Sequence, residues 1–253
     1  AAVLDKDDDQ ISDMRGGSVI GAAFREAIRQ TVFATSPEDP RPFLSSVLME
    51  MYPDRLKMVA TDINRLVLRE IPFSGKSEEK VLTPVRALRE CSAIFGNDPE
   101  ESINIVVADR QIFLFNRQIV FSSRLIDSQF PRYEQVIPAE FIGTMKVGKS
   151  DFQDALERNS LLDNVVKLSI TREGLFITSN EPELGNAYEE VACTYSGEEM
   201  QIGFNARFII DFLKSISHDD VYLKLSGVMK AAMLQADGQE DYRYVVMPMR
   251  LNA

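Results

Sequence analysis

Histidine is almost missing from this chain of 253 residues: His218 is the single one. A histidine-based triad could draw on that residue alone, and a metal centre built on several histidines is excluded. His218 precedes Asp219 and Asp220 in a stretch that reads as a solvated turn rather than a catalytic one. Cysteine is nearly as scarce. Cys91 and Cys193 lie far apart with no others to support them, so no disulfide framework is expected and a reducing, cytoplasmic setting is. No apolar run approaches membrane-spanning length, and the first residues, acidic from Asp5 onward, lack the basic-then-apolar order of a signal peptide. No membrane partner is expected. The glycines are scattered, with Gly16-Gly17 in a linker, so there is no phosphate-cradling loop. The acidic residues show no calcium-loop spacing, and Asp7-Asp8-Asp9 reads as a solvated connector rather than a metal site. Taken together, these absences predict no cofactor, no metal and no enzyme.

What the chain does have is size, acidity and repetition. Its length suffices for two ordinary domains, and 45% of it is hydrophobic. A formal net charge of −11 favours solubility and argues against coating nucleic acid by bulk attraction. Residues 1–17 are polar and read as a linker or the remnant of something upstream. The same order of elements then recurs four times. The first unit has a helix over 22–34 with the stripe Phe24, Ile28, Val32, then a proline-rich loop and strands over 44–51, 56–62 and 65–71. The second opens at 80–82. Thr83 is placed to cap a helix with Pro84 at its first position, Gly96 at its end, and the stripe Leu88, Cys91, Phe95. Strands over 103–108, 111–116 and 118–125 follow, with Asp109-Arg110 as a tight turn. The third opens at 144–147, and Ser150 and Gln153 have the spacing of a capping box. Its helix buries Phe152 and Leu156, and strands over 166–170, 175–179 and 189–195 come next. The fourth opens at 200–204, with Asn205 capping a helix striped by Phe208, Phe212 and Ile216, then strands over 221–226, 231–236 and 242–247. Repetition in units of roughly 55–65 residues predicts an α+β chain of two similar domains, 18–138 and 139–253, each made of two strand-helix-three-strand units. An ordinary α+β chain whose helices alternate with hairpins is the other reading.

The helices carry basic residues at helical spacing: Arg25 and Arg29, Arg86 and Arg89, Arg207 and Lys214. The third helix departs from this, with Asp151, Asp154 and Glu157 against Arg158. Basic stripes on equivalent helices of an acidic protein fit a surface facing a polyanion through phosphate contacts alone. The first three-strand layers carry many of the compensating acids; plain solvation of polar helix faces is the alternative.

The last decapeptide, Tyr242 to Leu251, has strand-forming Tyr244, Val245 and Val246, then Pro248, which ends a ladder or confines it to an edge. Met247 and Met249 flank the proline with adaptable thioethers, and Arg250 adds a fork of donors. Composition leaves two readings: a core strand with a frayed end, or a surface that accepts several apolar partners.

Five stretches, taken in order, carry a resemblance: Met58-Val59-Ala60-Thr61-Asp62 with Arg65-Leu66; Ser123-Arg124-Leu125-Ile126-Asp127 with Phe130-Pro131-x-Tyr133; Thr194-Tyr195-Ser196-Gly197; Ile202-Gly203-Phe204-Asn205; and Tyr244 through Leu251. The chain resembles the bacterial DNA polymerase sliding clamp family, the β subunit of DNA polymerase III, over about residues 17–251. It matches the second and third of that family's three domains, with residues 1–17 as the trailing edge of the first.

The resemblance implies two DNA-clamp-type domains with helices on the DNA-facing side. It implies a non-catalytic subunit of the DNA-directed DNA polymerase III holoenzyme, a processivity factor whose full-length homodimer closes a ring around duplex DNA without reading sequence. The replicative polymerase catalytic subunit, the clamp loader and repair polymerases would be held through short linear motifs. The alternative is a peptide-binding module or truncated clamp that cannot close a ring. The implied groove between the two domains has walls from Leu44, Thr61, Ile63, Arg65 and Leu66 in the first, and from Pro131 and Val136 near the junction. Asn205, Phe208 and Met229 follow, and then Val245, Val246, Met247, Pro248, Met249 and Arg250. Ile63-Asn64 stands where relatives carry a small residue and a histidine, which makes that rim more apolar and tighter. Gln135 replaces a basic residue, Phe208 a tyrosine, and Asn252-Ala253 extend the usual end. The six basic helix residues would face DNA, and Leu161 and Leu162 would meet a neighbouring subunit.

Overall fold

A strand, a helix and a run of strands follow one another four times, and the computed structural model describes them over residues 15–95, 98, 100–181 and 185–251. The expected features at 1–14, Gly96 and Asn252-Ala253 lie outside the described residues. The chain divides into two compact units. One comprises Ala1–Ile63 with Val67–Pro131; the other joins Asn64–Leu66 to Arg132–Ala253. The division falls earlier than the expected boundary after residue 138, because the short 3-10 turn Tyr133–Gln135, with Tyr133 buried, packs as part of the second unit.

In the first unit, β1 (Gly16–Ile20) leads into α1 (Gly21–Thr31), then β2 (Ser46–Met51), β3 (Arg55–Thr61), β4 (Arg65–Pro72) and the short β5 (Ser74–Gly75). A second round follows: β6 (Glu79–Pro84), α2 (Val85–Ile94), β7 (Ser102–Ala108), β8 (Gln111–Phe115) and β9 (Val120–Arg124). The two rounds exchange partners. β1, which precedes α1, pairs antiparallel with β7, which follows α2; β6, which precedes α2, pairs with β2, which follows α1. The helices pack on each other over the sheets. Phe24, Ala27 and Ile28 of α1 and Leu88 and Cys91 of α2 are buried, one stripe per helix, as period 3.6 requires.

The second unit repeats the plan with β10 (Gly143–Gly148), α3 (Lys149–Asn159), β11 (Val165–Ile170), β12 (Leu175–Glu181), β13 (Gly185–Val191) and β14 (Cys193–Gly197). It continues with β15 (Met200–Asn205), α4 (Ala206–Ser215), β16 (Asp220–Leu225), β17 (Ala232–Ala236) and β18 (Tyr242–Val246). Here β10 pairs with β16 and β15 with β11, the same exchange, and α3 packs on α4. β11 alternates half-buried and buried residues, so one face carries Val166, Leu168 and Ile170 into the core. Fully burying one such side chain is worth about 1.5–3 kcal/mol.

Several local expectations are corrected. The first helix stops at Thr31, and residues 32–34 tighten into a 3-10 turn. Thr83 does not cap α2: it ends inside β6, fully buried, with its hydroxyl donating to Met49 Sδ at 3.2 Å. Ser150 and Gln153 form no capping box; the Gln153 amide reaches forward to Glu157 at 3.1 Å. The strand expected over 189–195 is two strands, β13 and β14, on different sheets. Asp109 and Arg110 both adopt positive φ, +49° and +61°, the backbone of a two-residue hairpin turn.

Candidate functional site

The second unit ends in the segment that the sequence singles out. β18 pairs with β17, with Val246 opposite Ala232 and Tyr244 opposite Leu234. Past Val246 the chain leaves that ladder, yet it stays pinned. The Met247 N–H donates to the Asn64 carbonyl at 2.8 Å, and the Met249 N–H donates to the Gly203 carbonyl at 2.8 Å. The second contact needs a glycine, since a Cβ on residue 203 would stand 2.7 Å from the Met249 oxygen. With their amides held, Met247 and Met249 present thioethers at the surface, and Met247 is 37% exposed. Met229 is 58% exposed. It lies in the turn closed by Lys230 N–H on Gly227, just before β17, and so at the same end of the ladder as Met247.

Arg65 supplies a second feature. Its guanidinium lies 4.5 Å from the centre of the Phe208 ring, and its Nη1 is 2.6 Å from the Asp211 carboxylate. Phe208 and Asp211 are three residues apart on α4 and therefore share a face. Asn205 caps that helix by accepting from Arg207 N–H at 3.0 Å, and the Tyr244 hydroxyl donates to the Phe208 carbonyl at 2.8 Å. Arg65 is only 8% exposed, so its charge is neutralised within the unit and the surface here is aromatic and aliphatic. Deeper in the unit, the Phe212 ring packs 5.5 and 5.1 Å from those of Tyr242 and Tyr244.

Ile63, in the turn between β3 and β4, has φ +80° and is 52% exposed. A β-branched residue in the left-handed region is a real outlier, and the strain is on the order of 1–3 kcal/mol. Its N–H is held by the Thr61 hydroxyl at 3.0 Å.

The six basic helix residues expected to face DNA are exposed, and three of them meet acids on helices. Arg29 pairs with Glu26 at 2.5 Å, Arg86 with Glu90 at 3.2 Å and Lys214 with Glu157 at 2.9 Å. The hydrogen bond from Lys214 holds the Glu157 carboxyl below its usual range. Arg25, Glu26 and Arg29 of α1 and Ser92 of α2 line a shallow concavity between those two helices. Leu161, in the turn after α3, is 81% exposed, while Leu162 beside it is half-buried. The pair therefore does not close the core. Burial pushes the Cys91 thiol up to about 12 and raises that of Cys193 too, which leaves both poor nucleophiles. His218 is half-buried rather than solvated.

Two family models match this chain in sequence order. The DNA polymerase III β subunit central domain covers residues 18–132, and the C-terminal domain of the same subunit covers residues 134–250. The chain belongs to the β sliding clamp family. The β sliding clamp of Pseudomonas putida is 32% identical over 233 residues, which take in 90% of this chain and 63% of that protein. The clamp of Staphylococcus epidermidis is 33% identical, over 89% of this chain and 62% of its own length. The chain thus spans somewhat less than two thirds of these relatives. Among solved structures, the Bacillus subtilis sliding clamp superposes with a TM-score of 0.90 at 29% identity, over 99% of this chain and 68% of that one. A Pseudomonas aeruginosa clamp bound to griselimycin gives 0.89 at 29% identity, over 93% of this chain and 65% of its own. Among the described residues, no helix is long and apolar enough to cross a membrane.

Of the clamp residues expected to line a groove, the second unit brings together Arg65 with Phe208, Asn205 at the start of the Phe208 helix, and Met247 and Met249 on the pinned tail. Val136 and Arg250 are exposed in the same unit, and Pro248 is half-buried. Val245 and Val246 are fully buried, as is Leu66. In the first unit, Leu44 and Thr61 are buried, the former in the 3-10 turn Pro42–Ser45, while Pro131 is exposed. Sequence reasoning missed Asp211, Asn64 and Tyr244 as the groups that fix Arg65, Met247 and Phe208. Asp211 alone left a signal, its helical spacing from Phe208.

Proposed function

We propose that this protein is a bacterial replication processivity factor, a sliding clamp acting in the cytoplasm with the DNA polymerase III holoenzyme. It tethers polymerases and the clamp loader and carries out no chemistry of its own. The observation that carries this reading is the consecutive match to the central and C-terminal clamp domains, in units that each repeat the same exchanged strand pairing beneath a helix pair. The exposed Arg25, Arg29, Arg86, Arg89, Arg207 and Lys214 suit sequence-independent contact with duplex phosphates. The Met247–Met249 surface suits short linear motifs with apolar anchors, and the griselimycin complex of a relative supports a ligand site on this fold. Leu161 and Leu162 are the contact to a neighbouring clamp subunit.

Primer extension on circular DNA by the cognate polymerase tests the whole reading. Added clamp is expected to lengthen products, and Leu161→Asp in the complete protein to remove that effect by preventing ring closure. Products of unchanged length with the parent protein would reject the clamp role.

DNA binding makes its own prediction. Replacing Arg25, Arg89 and Arg207 together with Ser is expected to weaken duplex binding equally for all sequences. The slope of log affinity against log salt should flatten by about 0.9 for each phosphate no longer neutralised. Fluorescence anisotropy across a salt series reads both quantities, and an unchanged slope would place DNA elsewhere.

A further inference from the structure

We infer that Glu157 is an affinity-limiting residue of the duplex-facing surface, an acid on α3 that withholds Lys214 of α4 from DNA phosphates. The inference rests on the DNA-contact reading above and deepens it. Both helices belong to the second unit and pack on each other. Lys214 Nζ lies 2.9 Å from the Glu157 carboxylate. That contact crosses from one helix to the next, whereas Arg29–Glu26 and Arg86–Glu90 are pairs within a single helix. Glu157 is itself oriented, since the Gln153 amide one turn earlier donates to it at 3.1 Å. The hydrogen bond from Lys214 holds its carboxyl below the usual range, so it stays charged and competes with phosphate at neutral pH.

The remaining charges of α3 leave Lys214 without a substitute on that helix. Lys149 and Arg158 are its basic residues, and both are engaged. Lys149 Nζ donates to the Ile216 carbonyl at 2.6 Å, and the Arg158 guanidinium donates to both Glu189 oxygens, at 2.7 and 3.0 Å. Asp151 and Asp154 are exposed and repel a polyanion. On α4 the basic residues are Arg207, exposed in the first turn, and Lys214, exposed in the last. Glu157 therefore decides whether this helix pair offers phosphates one cation or two. An exposed ion pair is weak in water, so carboxylate and phosphate compete for the same ammonium on nearly equal terms. A duplex held by such exchangeable charge is gripped loosely and free to move along the surface.

The test follows a fluorescein-labelled duplex of mixed sequence by anisotropy, from about 50 to about 200 mM salt. The parent is compared, as the full chain, with Glu157→Gln, Lys214→Ser, the two together, and Asp154→Asn, which removes the same charge about one turn away. Glu157→Gln is expected to bind about 3- to 5-fold more tightly at low salt, with a salt slope steeper by about 0.9 for the phosphate newly neutralised. Lys214→Ser should change little in the parent, where that charge is already neutralised, yet abolish the whole gain in the double variant. Asp154→Asn should gain less and leave the slope unchanged. Equal gains in Asp154→Asn and Glu157→Gln, or a gain that survives the loss of Lys214, would reduce the effect to net charge and overturn the role of Glu157. A Glu157→Gln protein that binds like the parent, whether or not it melts lower, would do the same. A parent protein that binds no duplex, or whose binding ignores salt, would instead overturn the DNA-contact reading.

Discussion

Met247→Asp is expected to weaken binding of an apolar-anchored peptide by more than about 100-fold while leaving the thermal melt nearly unchanged. The two halves of that outcome come from different parts of the residue. The backbone N–H of Met247 holds the Asn64 carbonyl, and aspartate retains that N–H, so the tail stays pinned. The side chain is partly exposed and contributes little to the core. Once a peptide covers it, however, a carboxylate would lose water against an apolar anchor, and Arg65 is already neutralised by Asp211. Isothermal calorimetry on parent and variant reads the affinity, and equal values would remove the C-terminal segment from the site.

Phe212→Ala carries the largest expected effect on stability. Phe212 is fully buried on α4, and its ring packs against both Tyr242 and Tyr244. Truncation would leave a cavity between two aromatic rings that cannot collapse freely. The Tyr242 hydroxyl is held by Ser215 at 2.7 Å, and that of Tyr244 is held by the Phe208 carbonyl at 2.8 Å. Losses for buried Phe→Ala run to about 3–5 kcal/mol, which in a unit of this size lowers the melting temperature by about 10–20 °C. Peptide affinity is expected to fall as well, since the Phe208 carbonyl and the β18 strand share those two tyrosines. Circular dichroism melts check the first effect. A variant that melts with the parent would show that the aromatic cluster does not hold α4 to β18.

Much of this was legible along the chain because it depends on neighbours. Asn205 caps α4 as a short polar side chain before an apolar stripe must, and Phe24, Leu88, Phe152 and Phe212 are buried at the helical positions that periodicity assigns them. Where side chains had two local options, the tertiary environment chose. Thr83 could cap a helix, but β2 lies alongside and Met49 takes its hydroxyl. Ser150 and Gln153 had the right spacing, but Glu157 one turn on is the better partner for the amide. The site depends on distant pairs. Arg65 and Asp211 are 146 positions apart, and nothing near either residue announces the other. The positive φ of Ile63 was equally hidden, because no local rule places isoleucine there.

The exchanged strand pairing also governs how each unit can be taken apart. In the second unit, β10 belongs to the first half but completes the sheet of β16, while β15 belongs to the second half and completes the sheet of β11. Neither half alone owns a finished sheet, so each would expose unpaired strand edges until the other arrives. The connection between them at Glu198-Glu199 is exposed and polar, the kind of place where a backbone can be cut while the core stays covered. Two polypeptides made separately, ending and beginning there, would each stay unfolded on their own and assemble only as a pair. The unit is in effect a split reporter, with folding itself as the signal that the two pieces have met.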